Sequence, residues 1–436
     1  MTVLNERYVG PFDRAFARLR PPSALPDLPE ARPDTAIAPL ADVTFEIVRT
    51  RRGFEALETE WNDLFTRCGV AHQIFQSFNW NWQWAQAFLE ADHGAWPSEP
   101  LAILTGRRHG QLVTLWPMVL TRRGFLTELA WMGEPVSQYG DVLLDSTLAS
   151  PVAVLKAAWD HIRRSVKPDV ARLRKVRADA AIAPLLDMLS SLHTSELEAP
   201  YIDLTKAADF AAYEERFPNR ARRNRRRQMR RLEEAGAVTF QDLDEGSEAG
   251  ALAAAAIELK RQWLIDRGYV SPALADARMA RFMTAVANGP THSTATRVSV
   301  LRSGDKPAAI QIGFTARNTR VLHVIVYDRA FEKMAAGVLH LEEVIRRGFE
   351  EKLDRIDLLA PAAGYKLEWA NGSVAVIDHA IGLSPKGRAY ACVYLGYLRG
   401  RLKSWIERLP HKVRQVLVTT HLRSTAKRLL NLCCIA

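Results

Sequence analysis

Two stretches of this chain, roughly 200 residues apart, repeat the same order of elements. In the first, an apolar run Leu101–Leu104 leads into a turn at Arg107-Arg108-His109-Gly110, and a second run follows at Leu112–Leu120. In the second, Val298–Leu301 leads through Ser303-Gly304-Asp305-Lys306 into Ala308–Phe314. The chain then turns at Asn318-Thr319 into Val321–Tyr327. Short β-branched runs separated by Gly, Asn and Asp turns read as antiparallel strands. Helical patterns flank both meanders. Phe54–Phe65, Phe75–Leu89 and Pro151–Val166 accompany the first; Ala251–Asp266 and Ala277–Ala287 precede the second. The repeat is one of organisation and not of residues. It predicts an α/β (α+β) fold of two similar domains, each a mixed, mostly antiparallel sheet flanked by helices.

Between the two patterns lies a run with no acid in it. Residues 216–231 read RFPNRARRNRRRQMRR and contain nine arginines. Arg220, Arg223, Arg227 and Arg230 recur at helical spacing, as do Arg222, Arg226 and Met229. Gly236 is placed to close this helix in a left-handed conformation before a strand begins at Val238. Arginine binds oxyanions through a planar fork and stays charged. The run therefore reads either as a solvated basic face or as a site for phosphates.

Charge elsewhere is concentrated at the end of the chain. The net charge is +10, and residues 385–436 alone hold eleven Lys or Arg against Glu407. Leu395, Leu398, Leu402, Trp405, Ile406 and Leu409 form an apolar stripe among these cations, and a second helix is expected over Val416–Leu430. Such a helix can lie on an anionic membrane or pack on its own domain. Residues 1–42 carry seven prolines and are expected to be a poorly ordered lead-in. No apolar stretch suggests a signal peptide or a bilayer-spanning helix. The four cysteines lack metal-binding spacing, so no metal is expected and reduced thiols are. These features place the protein in the cytoplasm, with the inner membrane surface as the alternative. The domain limits read from the pattern are 1–42, 43–205, 206–384 and 385–436.

The chemistry-bearing residues cluster after the second meander. Tyr327-Asp328 ends a strand, a short loop leads to Gly337, and Val338, Leu339, Leu341, Val344, Ile345 and Phe349 make an apolar helical face. The N–H groups at such a helix start can hold a pyrophosphate, which nominates Gly337 and Val338. Asp357 sits inside an apolar strand and is followed by Gly364-Tyr365-Lys366. A carboxylate, a tyrosine and a lysine at one strand end could serve as base, acid and phosphate partner.

Four segments in this order resemble the two-domain GNAT-type acyltransferases of the FemAB-like superfamily, and among them the group associated with cellulose and exopolysaccharide synthesis. They are Phe75-Gln-Ser-Phe-Asn-Trp80 with Trp84; the Arg-rich helix ending in Gly236-Ala237-Val238; Tyr327-Asp328 with Gly337; and Asp357 with Gly364-Tyr365-Lys366 and Trp369. The resemblance runs from about Phe45 to Leu383. It departs from the family's pattern at Ala335-Ala336, where Ser-Pro is common, and in lacking the glycines of the usual phosphate loop. It implies two tandem GNAT-like domains and transfer of an acyl group from acyl-CoA, such as acetyl-CoA, to an amine or hydroxyl. The acceptor would be a polysaccharide or its precursor. It further implies that a backbone N–H of the Val321–Tyr327 strand, Val326 being the residue nominated, polarises the donor carbonyl. Asp357 would act as base, and Tyr327 or Tyr365 would protonate the thiolate. Arg223, Arg227, Gly337, Val338 and Lys366 would bind the donor. Two other readings stay open: a Fem-like aminoacyl transferase using aminoacyl-tRNA, and a non-catalytic scaffold.

Overall fold

The computed structural model describes residues 42–89, 99–267, 271–289 and 295–408. The lead-in before Asp42, the helix expected over 416–430, Leu409 and two of the cysteines, Cys433 and Cys434, lie outside them. One sheet contains β1 (Val43–Val48), β2 (Ile103–Arg108), β3 (Gln111–Trp116) and the short β6 (Leu143–Leu144) in the order β1-β2-β3-β6. A larger sheet takes the rest: β4 (Met118–Arg123), β5 (Leu126–Trp131), β7 (Val170–Arg177), β8 (Leu192–Asp203), β9 (Val238–Leu243), β10 (Thr296–Ser303), β11 (Lys306–Ala316), β12 (Thr319–Tyr327), β13 (Arg355–Asp357) and β14 (Gly372–Gly382). Its order is β4-β5-β7-β14-β8-β13-β12-β11-β10-β9. The fold is mixed α/β, two halves of mostly antiparallel strands flanked by helices. The halves share one continuous sheet, because β14 from the end of the chain inserts between β7 and β8.

Several expected elements take a different form. The run Leu112–Leu120 is two strands in two sheets. Pro117 has no N–H for a ladder, and there the chain passes from one sheet to the other. The helix expected at Phe54–Phe65 is two, Arg51–Ala56 and Glu58–Cys68. Strands β7, β8 and β14 have no counterpart among the elements expected from the sequence. β8 reads HTSELEAP in its middle and is held by ladders on both sides, not by apolar periodicity.

Helices pack on both sheets, among them α1 (Phe78–Phe88), α2 (Pro151–Val166), α3 (Asn219–Ala235), α4 (Ser247–Arg267), α5 (Arg278–Asn288), α6 (Ala336–Glu350) and α7 (Gly364–Trp369), and α8 (Arg399–Arg408) continues the helical segment that follows β14. The aromatic run of α1 is core. Trp80 and Trp84 are fully buried, and the Trp80 ring meets Phe282 of α5 at 4.9 Å and Phe314 of β11 at 5.4 Å. These contacts join the two halves in one hydrophobic cluster. Truncating either tryptophan to alanine is expected to cost about 3–5 kcal/mol. α6 packs on the opposite side of the β11–β12 region, against Leu322, Ile356 and Leu358.

The Arg-rich helix α3 buries one arginine. Arg225 lies against Phe217 and Trp369, forms an ion pair with Glu342 at 2.8 Å and donates to Glu214 at 3.4 Å. With Ala221, Met229 and Leu232 it completes the inward stripe of the helix. Gly236 is extended, at φ 161°, and not left-handed as expected. Its role is close approach: a Cβ there would sit 2.7 Å from the Gly304 nitrogen.

Candidate active site

The second sheet opens between β12 and β13. These parallel strands pair only at Thr319–Arg355, Arg320–Ile356 and Val321–Asp357. β13 then stops while β12 runs on to Tyr327. Beyond Val321, β12 has no neighbouring strand on that side among the described residues, and a cavity of about 270 Å³ occupies the gap. Its walls come from β12 (Leu322 to Ile325), the segment after β13 (Leu358 to Pro361), Lys260 of α4, and Tyr365 and Lys366 of α7. Val136 and Gln138 of the N-terminal half close it.

A β-bulge shapes the β12 wall. Val324 lies opposite Ile312 and Leu322 opposite Gly313, so His323 is the extra residue. Its ring sits among Phe75, Trp80 and Phe314, and one ring nitrogen, Nε2, lies 3.1 Å from the Val136 carbonyl oxygen. Burial pulls its pKa down to about 4, which leaves a neutral imidazole at pH 7.

The free edge of β12 offers main-chain groups to the cavity. The Asp328 N–H donates to Ala308 O, so beyond the bulge the even-numbered residues pair with β11. Ile325 points its peptide groups the other way, and its carbonyl accepts from Lys260 Nζ at 3.3 Å. Val326, nominated from the sequence, faces β11 with its main chain and the core with its side chain. The strand was legible but the residue is displaced by one, because alternation is counted from a bulge that the sequence does not announce.

Asp357 is 3% exposed and fully engaged. It accepts from Tyr139 Oη at 2.9 Å, from Arg177 at 2.8 Å and from the Leu359 N–H at 2.8 Å. A carboxylate so committed is not free to take a substrate proton, and its contacts tie β13 to the N-terminal half. Next to it, Lys366 Nζ donates to Leu359 O at 2.7 Å and Pro361 O at 3.0 Å. Tyr365 lines the cavity and is 39% exposed.

Tyr327 stands at the outer end of the gap. Its hydroxyl donates to Glu332 at 3.1 Å and receives weak contacts from Trp263 and Arg267 at 3.4 Å. Its ring packs on Gly337, where a Cβ would lie 3.0 Å from the ring. Ala335 is left-handed, at φ 56°, and starts α6. The N–H groups of Val338 and Leu339 both bond to Ala335 O, which leaves those of Ala336 and Gly337 as the donors at this helix start. A short 3₁₀ helix, Arg329–Met334, stands where a glycine-rich phosphate loop would run. Arg223 and Arg227 do not join the cavity; they are exposed on α3, Arg227 donating to Asn224.

The structure thus gathers Tyr365 and Lys366 at the cavity, sets Gly337 against the Tyr327 ring at the far end of β12 with Val338 next on α6, and commits Asp357 to contacts with Tyr139 and Arg177. Sequence reasoning missed Lys260, His323 and Ile325. Lys260 carried a faint signal, a cation following the buried stripe Ala253, Ala256 and Ile257 of α4. Among the described residues no cluster of side chains could hold a metal ion, and no helix is long and apolar enough to cross a membrane.

Residues 219–367 match the family model for the acetyltransferase (GNAT) domain. The solved structure of FemX shares 9% identity over 77% of this chain and 98% of its own, with a TM-score of 0.53. A conserved protein of unknown function from Bacteroides thetaiotaomicron VPI-5482 covers 78% of this chain and all of its own at 10% identity and a TM-score of 0.48. A tandem GNAT protein from the clavulanic acid biosynthesis pathway covers 79% of this chain and 99% of its own at 11% identity and a TM-score of 0.41. No curated protein matches in sequence. The chain has the fold of FemX and carries a GNAT acyltransferase-like domain.

Proposed function

We propose that the protein transfers an acyl group from an acyl-CoA, acetyl-CoA being the simplest, to an amine or hydroxyl at the β12–β13 gap. The observation that carries this reading is the unpaired edge of β12 beside a cavity. The donor supplies an activated thioester. The Ile325 N–H is aligned to polarise its carbonyl, a contribution worth about 3–4 kcal/mol for one such hydrogen bond. Tyr365 is the tyrosine that can reach the leaving thiolate from the cavity wall, and Tyr327 stands at the far end of β12. The Gly337 end of α6 receives the donor's phosphates, and Val338 packs behind it. With Asp357 engaged elsewhere, holding donor and acceptor together supplies much of the acceleration. The acceptor in this reading is a sugar or amine group of a polysaccharide or its precursor.

Calorimetric titration with acetyl-CoA tests the proposal. Saturable binding that weakens at least tenfold in Gly337→Trp supports it, since the indole displaces the Tyr327 ring. No binding to acetyl-CoA or longer acyl-CoAs overturns it.

The solvent face of α3 favours a second donor. Arg220, Arg223, Arg226, Arg227, Arg230 and Arg231 are exposed, and Arg226 alone of these has an ion pair among the described residues, to Glu214 at 3.7 Å. A surface of that kind suits the phosphates of an aminoacyl-tRNA. Binding of tRNA with a steep salt slope that flattens in the Arg223→Ala/Arg227→Ala variant would select it.

We also assign the C-terminal segment to an anionic membrane surface on the cytoplasmic side. Ala391 and Leu395 pack against β7 and β14, yet Val393, Tyr397 and Trp405 remain exposed beside Arg401. Exposed aromatics among cations suit the bilayer interface.

A further inference from the structure

Two lysines hang over the cavity, one from each side of the open sheet. Lys260 reaches from α4 to the Ile325 carbonyl on β12. Lys366 reaches from α7 to the carbonyls of Leu359 and Pro361 just past β13. Neither forms an ion pair with any described carboxylate. An ammonium carries three donors. Lys260 uses one and rests its ammonium over the Trp263 ring at 4.4 Å, and Lys366 uses two, so among the described residues both ammoniums keep N–H groups without a hydrogen-bond acceptor at the wall of one cavity. The surrounding wall is largely apolar: Val136, Leu322, Val324, Leu358 and Leu359.

The electrostatics agree with this count. Burial, then the positive charge of Arg267, lowers Lys260 to about 8. Burial also lowers Lys366 to about 8; Asp357 opposes the shift, and Lys260 adds to it. Asp357 is already bonded to Arg177 and Tyr139, and Arg267 to Glu332. Two cations that repel each other in a low-dielectric pocket gain from an oxyanion between them.

We propose that Lys260 and Lys366 form an oxyanion-binding subsite, and that the acceptor substrate carries a carboxylate or phosphate which this pair grips. The inference rests on the acyl-transfer reading for the word acceptor, and on the cavity alone for the anion. The donor's phosphates belong at the far end of β12, by Gly337. The lysines face the inner part of the gap, between Ile325 and Leu359, where an acceptor must enter.

Pulse labelling of the full chain with acetic anhydride, read residue by residue by mass spectrometry, tests it. Rates at Lys260, Lys366 and the exposed Lys306 are compared with no anion, with inorganic pyrophosphate and with tricarballylate, at fixed ionic strength. At least fivefold slowing at both cavity lysines, with Lys306 unchanged, supports the subsite. Slowing by pyrophosphate alone assigns a phosphate, and slowing by tricarballylate alone a carboxylate. Unchanged rates with both anions overturn it. Repeating the series in saturating coenzyme A separates the two substrates. Further slowing by the anion supports an acceptor site; slowing by coenzyme A that no anion increases shows that the lysines hold the donor and overturns the acceptor assignment. Anion protection in a protein that fails to bind acetyl-CoA calorimetrically supports the subsite while refuting the donor. In Lys260→Met the anion should no longer protect Lys366, and in Lys260→Arg it should. Protection of Lys366 that persists in Lys260→Met also counts against the pair.

Discussion

Replacing Asp357 distinguishes a structural carboxylate from a catalytic one. In the structure it joins Arg177, Tyr139 and the Leu359 N–H, and both Asp357 and Arg177 are 3% exposed. Removing one partner of such a buried pair costs about 3–5 kcal/mol, because the other charge is left uncompensated. Here the loss should fall at the low end for Asp357→Ala, since Arg177 keeps Asp179 at 2.7 Å. Asp357→Asn retains an acceptor for Tyr139 or Arg177 and loses the charge, so about 1.5–3 kcal/mol is expected. Urea denaturation at pH 7 reads both, alongside initial rates with acetyl-CoA and a small amine. The structural reading expects the midpoint to fall in the order wild type, Asn, Ala, and activity under conditions where each variant is folded to fall by less than tenfold. Tyr139→Phe should remove about 1 kcal/mol and couple to Asp357→Asn in a double-mutant cycle. An Asp357→Asn enzyme with an unchanged midpoint and a hundredfold loss of rate would refute this reasoning and restore Asp357 as the base.

Further outcomes are expected elsewhere in the molecule. Arg225→Ala should lose about 3–5 kcal/mol in chemical denaturation, since it strands Glu342 and empties the space between Phe217 and Trp369. Arg223→Ala/Arg227→Ala should unfold like the wild type, because both side chains are exposed. Burial alone would raise the Asp145 pKa, but bonds from Thr147 and Arg67 outweigh it and hold it at about 2. Its folded pKa lies below the unfolded value of about 3.9, so its stabilising contribution is complete above that value and fades as pH falls toward 2. Arg67→Ala should shrink this part of the acid-unfolding curve, as followed by circular dichroism. Trp405→Ala should reduce sedimentation with anionic vesicles at least threefold and leave binding to neutral vesicles unchanged.

Much of the architecture was visible before the structure. The meander residues 298–327 fold as the alternation implies, and α6 presents the apolar face read from Val338 to Phe349. Strands β8 and β14 were not visible. The charged and polar residues of β8 are stabilised by neighbouring ladders, and pairing across the sheet leaves no periodic mark on that strand. At the site, Tyr365 and Lys366 were legible as a cluster next to a strand end. Lys260 was not, because α4 is distant in sequence and meets β12 only through packing. Arg225 looked like its neighbours in the arginine run, and only the position of Glu342 on α6 makes it a core residue.

The sequence by itself determined the local periods, the turns, the basic character of α3 and the end of the chain, and the resulting α/β class. These depend on neighbours within a few residues, where hydrophobic spacing and turn chemistry act. Tertiary structure alone decided where β12 and β13 part, which carboxylate is committed to an internal ion pair, and which two lysines share a cavity. Those outcomes depend on burial and on charges brought together from remote segments, and a chain read in order carries no record of either.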